Sequence, residues 1–344
     1  MSLTSYRAAP PRVNLGNTVG AARGNYVTTA RRVGKGRATF SAHQEAVLDQ
    51  ATHREKPALR PGEPVGPALS AIAHEILAEG RAALLAAEIE NSTAIHDYRK
   101  AMKRWRAYLR LLEPLVPGAE GLRAEARDLA KKLSHSRDLQ AALDALADLP
   151  EGELPPTSLA TMRDRIEAAQ RTTQIGLTAE MRTLLQDGLS DAAAGIDRWA
   201  LDAVRFRDLA GALTHHYRRA RHARPRSWEQ ASADDLHRLR RRVVEHRYQM
   251  ELVEPTWPRL GKLWVAEAQR LRERLGSYQD LVVLGSLAAP RAPLAPWRGR
   301  LAPLIEARQA EVATSARRLA DRLFAERPNA FRSRLLALWN SGSG

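Results

Sequence analysis

One stretch of this chain occurs twice in altered form, and each copy dictates a helix. Residues 95–114 read IHDYRKAMKRWRAYLRLLEP and residues 236–255 read LHRLRRRVVEHRYQMELVEP. Aligned without gaps, they share His96/His237, Arg99/Arg240, Arg106/Arg247, Leu111/Leu252, Glu113/Glu254 and Pro114/Pro255. In the first copy Ile95, Tyr98, Met102, Trp105, Leu109 and Leu112 recur every three or four residues, so a helix carries them on one side. His96, Arg99, Lys100, Lys103, Arg106 and Arg110 fall on the opposite side. The second copy keeps the division, with Leu236, Leu239, Val243, Met250 and Val253 inside and His237, Arg240, Arg241 and Arg247 outside. It departs at Val244 and Glu251, which stand in place of Lys103 and Arg110. Each histidine is expected in the first turn of its helix, where free backbone amides favour anions.

The repeat extends beyond this helix. Ala124, Glu125, Ala126, Leu129, Leu133, Asp138 and Leu139 align with Ala266, Glu267, Ala268, Leu271, Leu275, Asp280 and Leu281. The offset is 142 here and 141 in the basic helices, which indicates a duplicated unit. An all-α fold of two packed bundles follows, related by a pseudo-twofold axis, with repeats at about 66–190 and 191–340. Helical patterns cover 66–90, 119–149 (with a break expected near Ser134–Ser136) and 157–187. Gly188 and Gly195 read as the midpoint between the repeats. In the second half a helix runs from about Ile196 into the basic cluster His215–Arg226. Ser232 and Asp235 have the spacing of a capping box at the start of the second basic helix. Trp105, Trp199, Trp257 and Trp264 occupy apolar positions and are expected in the core.

Like charges three or four residues apart on a helix cost about 0.2–0.5 kcal/mol per pair. One such face reads as a solvated surface. Two matching faces suggest an external anion, and residues 205–247 add to this with twelve arginines against five acids. The formal charge of +15 points the same way, towards nucleic acid, polyphosphate or an anionic membrane surface. Arginine suits phosphate because its planar fork donates two parallel hydrogen bonds.

Other classes are disfavoured. The chain has no cysteine, which excludes disulfides and thiolate chemistry and fits a cytoplasmic protein. No apolar run approaches the ~18–20 residues of a membrane span, and no secretory signal is apparent. Residues 1–60 read as a basic, disordered tail: the first acid is Glu45, after Arg7, Arg12, Arg23, Arg31, Arg32, Lys35 and Arg37. There is no phosphate loop, HExxH or GxSxG, so no catalytic residue, metal site or cofactor is expected.

The pattern HxxRKxxKRxRxxLRL at 96–111, the run around LSHSRDLQ at 133–140 and HRLRRRVVEHRYQMEL at 237–252 resemble the CHAD domain, the conserved histidine α-helical domain. The resemblance spans about residues 65–340. It implies two four-helix bundles with a basic central groove that binds inorganic polyphosphate, and association with polyphosphate granules. Carried over, His96, Arg99, Lys100, Lys103 and Arg106 match the first motif, and His237, Arg240, Arg241 and Arg247 the second. Arg137 matches the family's Arg-Asp pair, whose counterpart here is Gln279, and Val244 and Glu245 stand where a basic pair is usual. Arg110, Lys131, Tyr217, Arg218 and Arg221 complete the candidate polyphosphate-binding set. The ExExK strand of an upstream triphosphatase domain found in many relatives is absent. The expectation is therefore a non-enzymatic binder of inorganic polyphosphate. A helical nucleic-acid binder and a polyphosphate-processing enzyme are the alternatives.

Overall fold

Eleven α-helices and no strand occur among the described residues of the computed structural model, 57–86, 91–132, 137–173 and 177–342. The helices are α1 (Val65–Ala86), α2 (Asn91–Leu112), α3 (Ala119–Lys132), α4 (Arg137–Ala147), α5 (Pro156–Thr173) and α6 (Ala179–Ile196), followed by α7 (Phe206–His222), α8 (Ala233–Val253), α9 (Pro258–Leu287), α10 (Arg298–Leu323) and α11 (Pro328–Ser341). This is the all-α architecture that the periodicity predicts. The expected tail lies outside the described residues up to residue 56, as does the expected break at Ser134–Ser136. Leu59 is fully buried, so packed structure is present ahead of the Pro61-Gly62 turn.

Packing follows the apolar stripes. In the first half α1 packs against α2 and α6, α2 against α3, and α3 against α6. In the second half α7 packs against α8 and α11, and α8 against α9. The two basic helices, α2 and α8, pack directly on each other, and α2 also touches α7. Tyr98, Met102, Trp105, Leu109 and Leu112 are buried, as are Leu236, Leu239, Val243, Met250 and Val253. Each such apolar side chain contributes roughly 1.5–3 kcal/mol when fully buried, which holds the outward faces in place. Trp105 stacks between Tyr108 at 6.1 Å and Trp199 at 6.2 Å, and the Tyr108 hydroxyl donates to the Leu69 carbonyl at 2.6 Å, tying α2 to α1.

Buried side chains form two clusters. The larger runs through both sets of helices around α2 and α8. The smaller joins α4, α5, the C-terminal half of α9 and α10 through residues such as Leu146, Met162, Ile166, Leu284 and Ile305.

Four expectations are corrected by the packing. Residues 157–187 divide into two helices, with Thr178 capping α6 by accepting from the Met181 amide at 3.2 Å. Gly188 and Gly195 lie inside α6 and do not mark a midpoint. They let α3 approach: a Cβ at Gly188 would meet the Leu129 side chain at 2.5 Å, and one at Gly195 would meet Leu122 at 3.1 Å. The α7 helix begins at Phe206, not near Ile196. Of the tryptophans, Trp257 is 48% exposed because it sits where the short 3-10 turn Glu254–Thr256 gives way to α9.

Candidate anion-binding groove

The Ser232 hydroxyl accepts from the Asp235 amide at 3.2 Å, and Asp235 accepts from the Ser232 amide at 3.1 Å. This reciprocal cap starts α8 as the sequence predicts and fixes which way His237 and Arg241 point. His96 is the sixth residue of α2 and His237 the fifth of α8, so both lie beyond the first turn. The helix-end field falls off within that turn. Any anion at these histidines is therefore drawn by neighbouring cations and not, as expected above, by the helix ends.

Where α2 and α8 meet, their outward faces line one cavity of about 980 Å³. From α2 it receives His96, Arg99, Lys100, Lys103, Arg106 and Arg110, and from α8 His237, Arg240, Arg241 and Arg247. Both histidine-bearing helices thus face one groove. Sequence reading missed several further lining residues: Arg123 and Arg127 from α3, Arg238, Arg242 and Tyr248 from α8, and Arg272 from α9. The pairs Arg123/Arg127 and Arg238/Arg242 sit four residues apart, on one face of a helix, and that spacing was the available signal. In all, thirteen lysines and arginines line the groove against three acids, Asp144, Glu245 and Asp280, which leaves a large cationic excess.

The other predicted residues lie elsewhere. Lys131 is exposed on α3 beside Asp128 at 3.5 Å and does not line the groove. Arg137 opens α4, and its side chain lies outside the described residues. Tyr217 is buried in the α7–α11 core, where its hydroxyl donates to the Glu326 carbonyl at 3.0 Å and its ring stacks on Phe331. Arg218 and Arg221 border a separate surface cavity with Arg327, and Arg221 Nε donates to the Phe324 carbonyl at 3.1 Å. None of residues 215–226 lines the groove, because α7 turns that basic run away from it.

The groove is only partly open to water, and this changes its electrostatics. Burial lowers the pKa of Arg106 and Arg110 from the usual arginine range, and neighbouring guanidiniums add to the effect. Burial also lowers the His237 pKa, followed by Arg241 and Arg240, while Gln279 and Asp234 pull the other way. Glu245 opposes the crowding of cations. Its carboxylate pairs with Arg110 Nε at 3.1 Å across the helix seam and accepts from Arg242 at 2.8 Å on its own helix. Arg247 is fixed by Glu251 at 2.6 Å and lies over the Tyr248 ring, 4.7 Å from its centroid. Val244 lines the groove without charge. The α8 wall is therefore partly neutralised by its own acids, whereas no acid of α2 lines the groove. Among the described residues, no three His, Asp or Glu side chains gather in a way that would hold a metal ion.

Fold and groove together define an all-helical domain in which two histidine-bearing helices share a basic cleft. The chain belongs to the CHAD domain family, whose model matches residues 68–289. Its fold is similar to the crystal structure of the CHAD domain from the plant Ricinus communis, with a TM-score of 0.56 and 19% identity over 82% of this chain and 95% of that one. No curated protein matches it. Among the described residues, no helix is long and apolar enough to cross a membrane.

Proposed function

We propose that this protein binds inorganic polyphosphate in the groove between α2 and α8 without turning it over, and that this binding places it on polyphosphate granules. The observation that carries the reading is the convergence of both histidine-bearing helices on one cavity with thirteen lysines and arginines. The family is linked to polyphosphate binding in general, which supports the same choice of anion. Binding proceeds by release of counter-ions along the groove together with forked arginine contacts, so affinity falls steeply with salt.

The wall chemistry favours a chain of phosphates over a single nucleic-acid strand. Tyr248 is the one Phe, Tyr or Trp among the described lining residues, and its ring is covered by Arg247. A base-stacking surface presents several open aromatic faces.

The test is a competition. A labelled long-chain polyphosphate bound to the protein should resist displacement by duplex DNA or RNA at equal phosphate concentration, and magnesium should release no orthophosphate above the blank. Displacement by either nucleic acid would replace the polyphosphate reading with the nucleic-acid one. Steady phosphate release would make the protein an enzyme.

A further inference from the structure

Among the described residues, Glu245 pairs with arginines from both walls of the groove. Asp144 accepts from Gln140 on its own helix, whereas Glu245 engages Arg110 of α2 through one oxygen and Arg242 of α8 through the other. The three side chains are similarly secluded, at 18% exposure for Glu245, 22% for Arg110 and 20% for Arg242. Two arginines meeting two oxygens of one anion is the geometry in which arginines hold a phosphate group. In this position Glu245 stands in for a ligand phosphate. The sequence underlines this: Glu245 aligns with Arg104 of the first copy, so α8 carries an anion where α2 carries a cation.

We infer that Glu245 is an internal counter-ion that occupies the anion subsite between Arg110 and Arg242 and so closes that end of the groove to the phosphate chain. The inference rests on the polyphosphate reading and assigns a boundary within that site. Without Glu245, Arg110 and Arg242 would face each other as secluded like charges, which is unfavourable in low dielectric. With it, they are held ready but neutralised. A phosphate chain is bound along the His96–Arg106 and His237–Arg241 portion, where α2 supplies no competing acid. To extend past Arg106 it must displace a carboxylate already paired with an arginine at each oxygen.

The experiment compares binding of a long-chain sodium polyphosphate to the full chain and its variants by titration calorimetry across a salt series, with far-UV circular dichroism as a check on folding. Glu245→Gln keeps the size and the hydrogen-bonding carbonyl but removes the charge. It is expected to bind about threefold or more tightly at low salt and to steepen the log–log salt slope by about one to two, for one or two additional phosphate contacts. The control Glu79→Gln removes the same charge from an ion pair with Arg104, 2.8 Å away and outside the groove. It should leave the slope at the wild-type value. A second pair keeps the test independent of how Glu245→Gln folds. Arg110→Gln should lose less than half of the slope that Lys100→Gln loses, the latter being one contact's worth, about 0.7–0.9.

Equal affinity and slope in wild type and Glu245→Gln, the same steepening in Glu79→Gln, or a loss in Arg110→Gln as large as in Lys100→Gln would each overturn the inference while leaving the polyphosphate reading intact. Absence of binding by wild type and by every variant would overturn both.

Discussion

His216 and His246 lie in the core with 6% and 3% of their surface exposed, far from the role the basic sequence suggests for histidine. His246 fills the core position between Val243 and Met250, in contact distance of the Tyr217, Phe324 and Phe331 rings. The His216 Nε2–H donates to the Arg110 carbonyl at 3.1 Å. In both histidines Nδ1 is buried without a partner, which suits the neutral ring and penalises a second proton. Burial pushes the pKa of His216 down to about 4 and that of His246 down to about 3. The sign of the consequence is fixed. Between the unfolded value near 6.5 and these folded values, the unfolded chain takes up protons that the folded chain refuses. Stability is thus complete above about pH 6.5 and declines as pH falls towards 4, by at most about 1.4 kcal/mol per pH unit for each histidine. Urea denaturation at stepped pH should show this slope, and His246→Phe should reduce it by roughly half. An unchanged slope in that variant would place the pH sensitivity elsewhere. His237 and His246 both sit amid arginines on one helix, but the apolar steps separate them: His246 falls on the buried stripe of Leu239, Val243 and Met250, and His237 falls off it.

At the scale of the helix, the legible features were those set by local chemistry. The apolar steps of α2 and α8 define their buried sides residue by residue, and Ser232 with Asp235 forms the cap expected from spacing alone. Removing the cap hydroxyl in Ser232→Ala should lower stability by about 1 kcal/mol in chemical denaturation and leave the groove residues chemically intact. A loss below about 0.3 kcal/mol would mean that α8 is held by packing alone. Features set by a partner helix were not legible. Gly188 and Gly195 look like helix breakers until α3 is placed beside α6, where Leu129 and Leu122 occupy the space a Cβ would need. Trp257 looks like a core residue until the 3-10 turn at Glu254–Thr256 carries it outward. The same holds for Tyr217, whose basic neighbours in sequence are turned to the surface while its own ring points to Phe331.

Across the whole molecule, the likeness of the two basic helices matters because they pack on each other. Had they lain on remote faces, each would be an ordinary solvated surface. Packed together, they put the excess positive charge of both around one cavity, with α3 and α9 adding Arg123, Arg127 and Arg272. The four-residue spacing of Arg123 and Arg127 signalled a shared basic face, but that this face and Arg272 join the groove was not legible, because the facing of one helix towards another is set by the tertiary arrangement and not by period. The asymmetry between the copies was legible, since Val244 and Glu251 stand out on alignment; what Glu245 does was not, because its partner Arg110 lies on the other helix. The most direct test of the central claim is one charge reversal on each wall, Arg99→Glu with Arg240→Glu, assayed by calorimetric titration with long-chain polyphosphate at low salt. Wild type should bind with salt-dependent affinity, and the double variant should bind about a hundredfold more weakly or worse with its helicity unchanged. Binding by the folded double variant within about twofold of wild type would contradict the account, because less than about 0.4 kcal/mol would then separate a cationic groove from a reversed one.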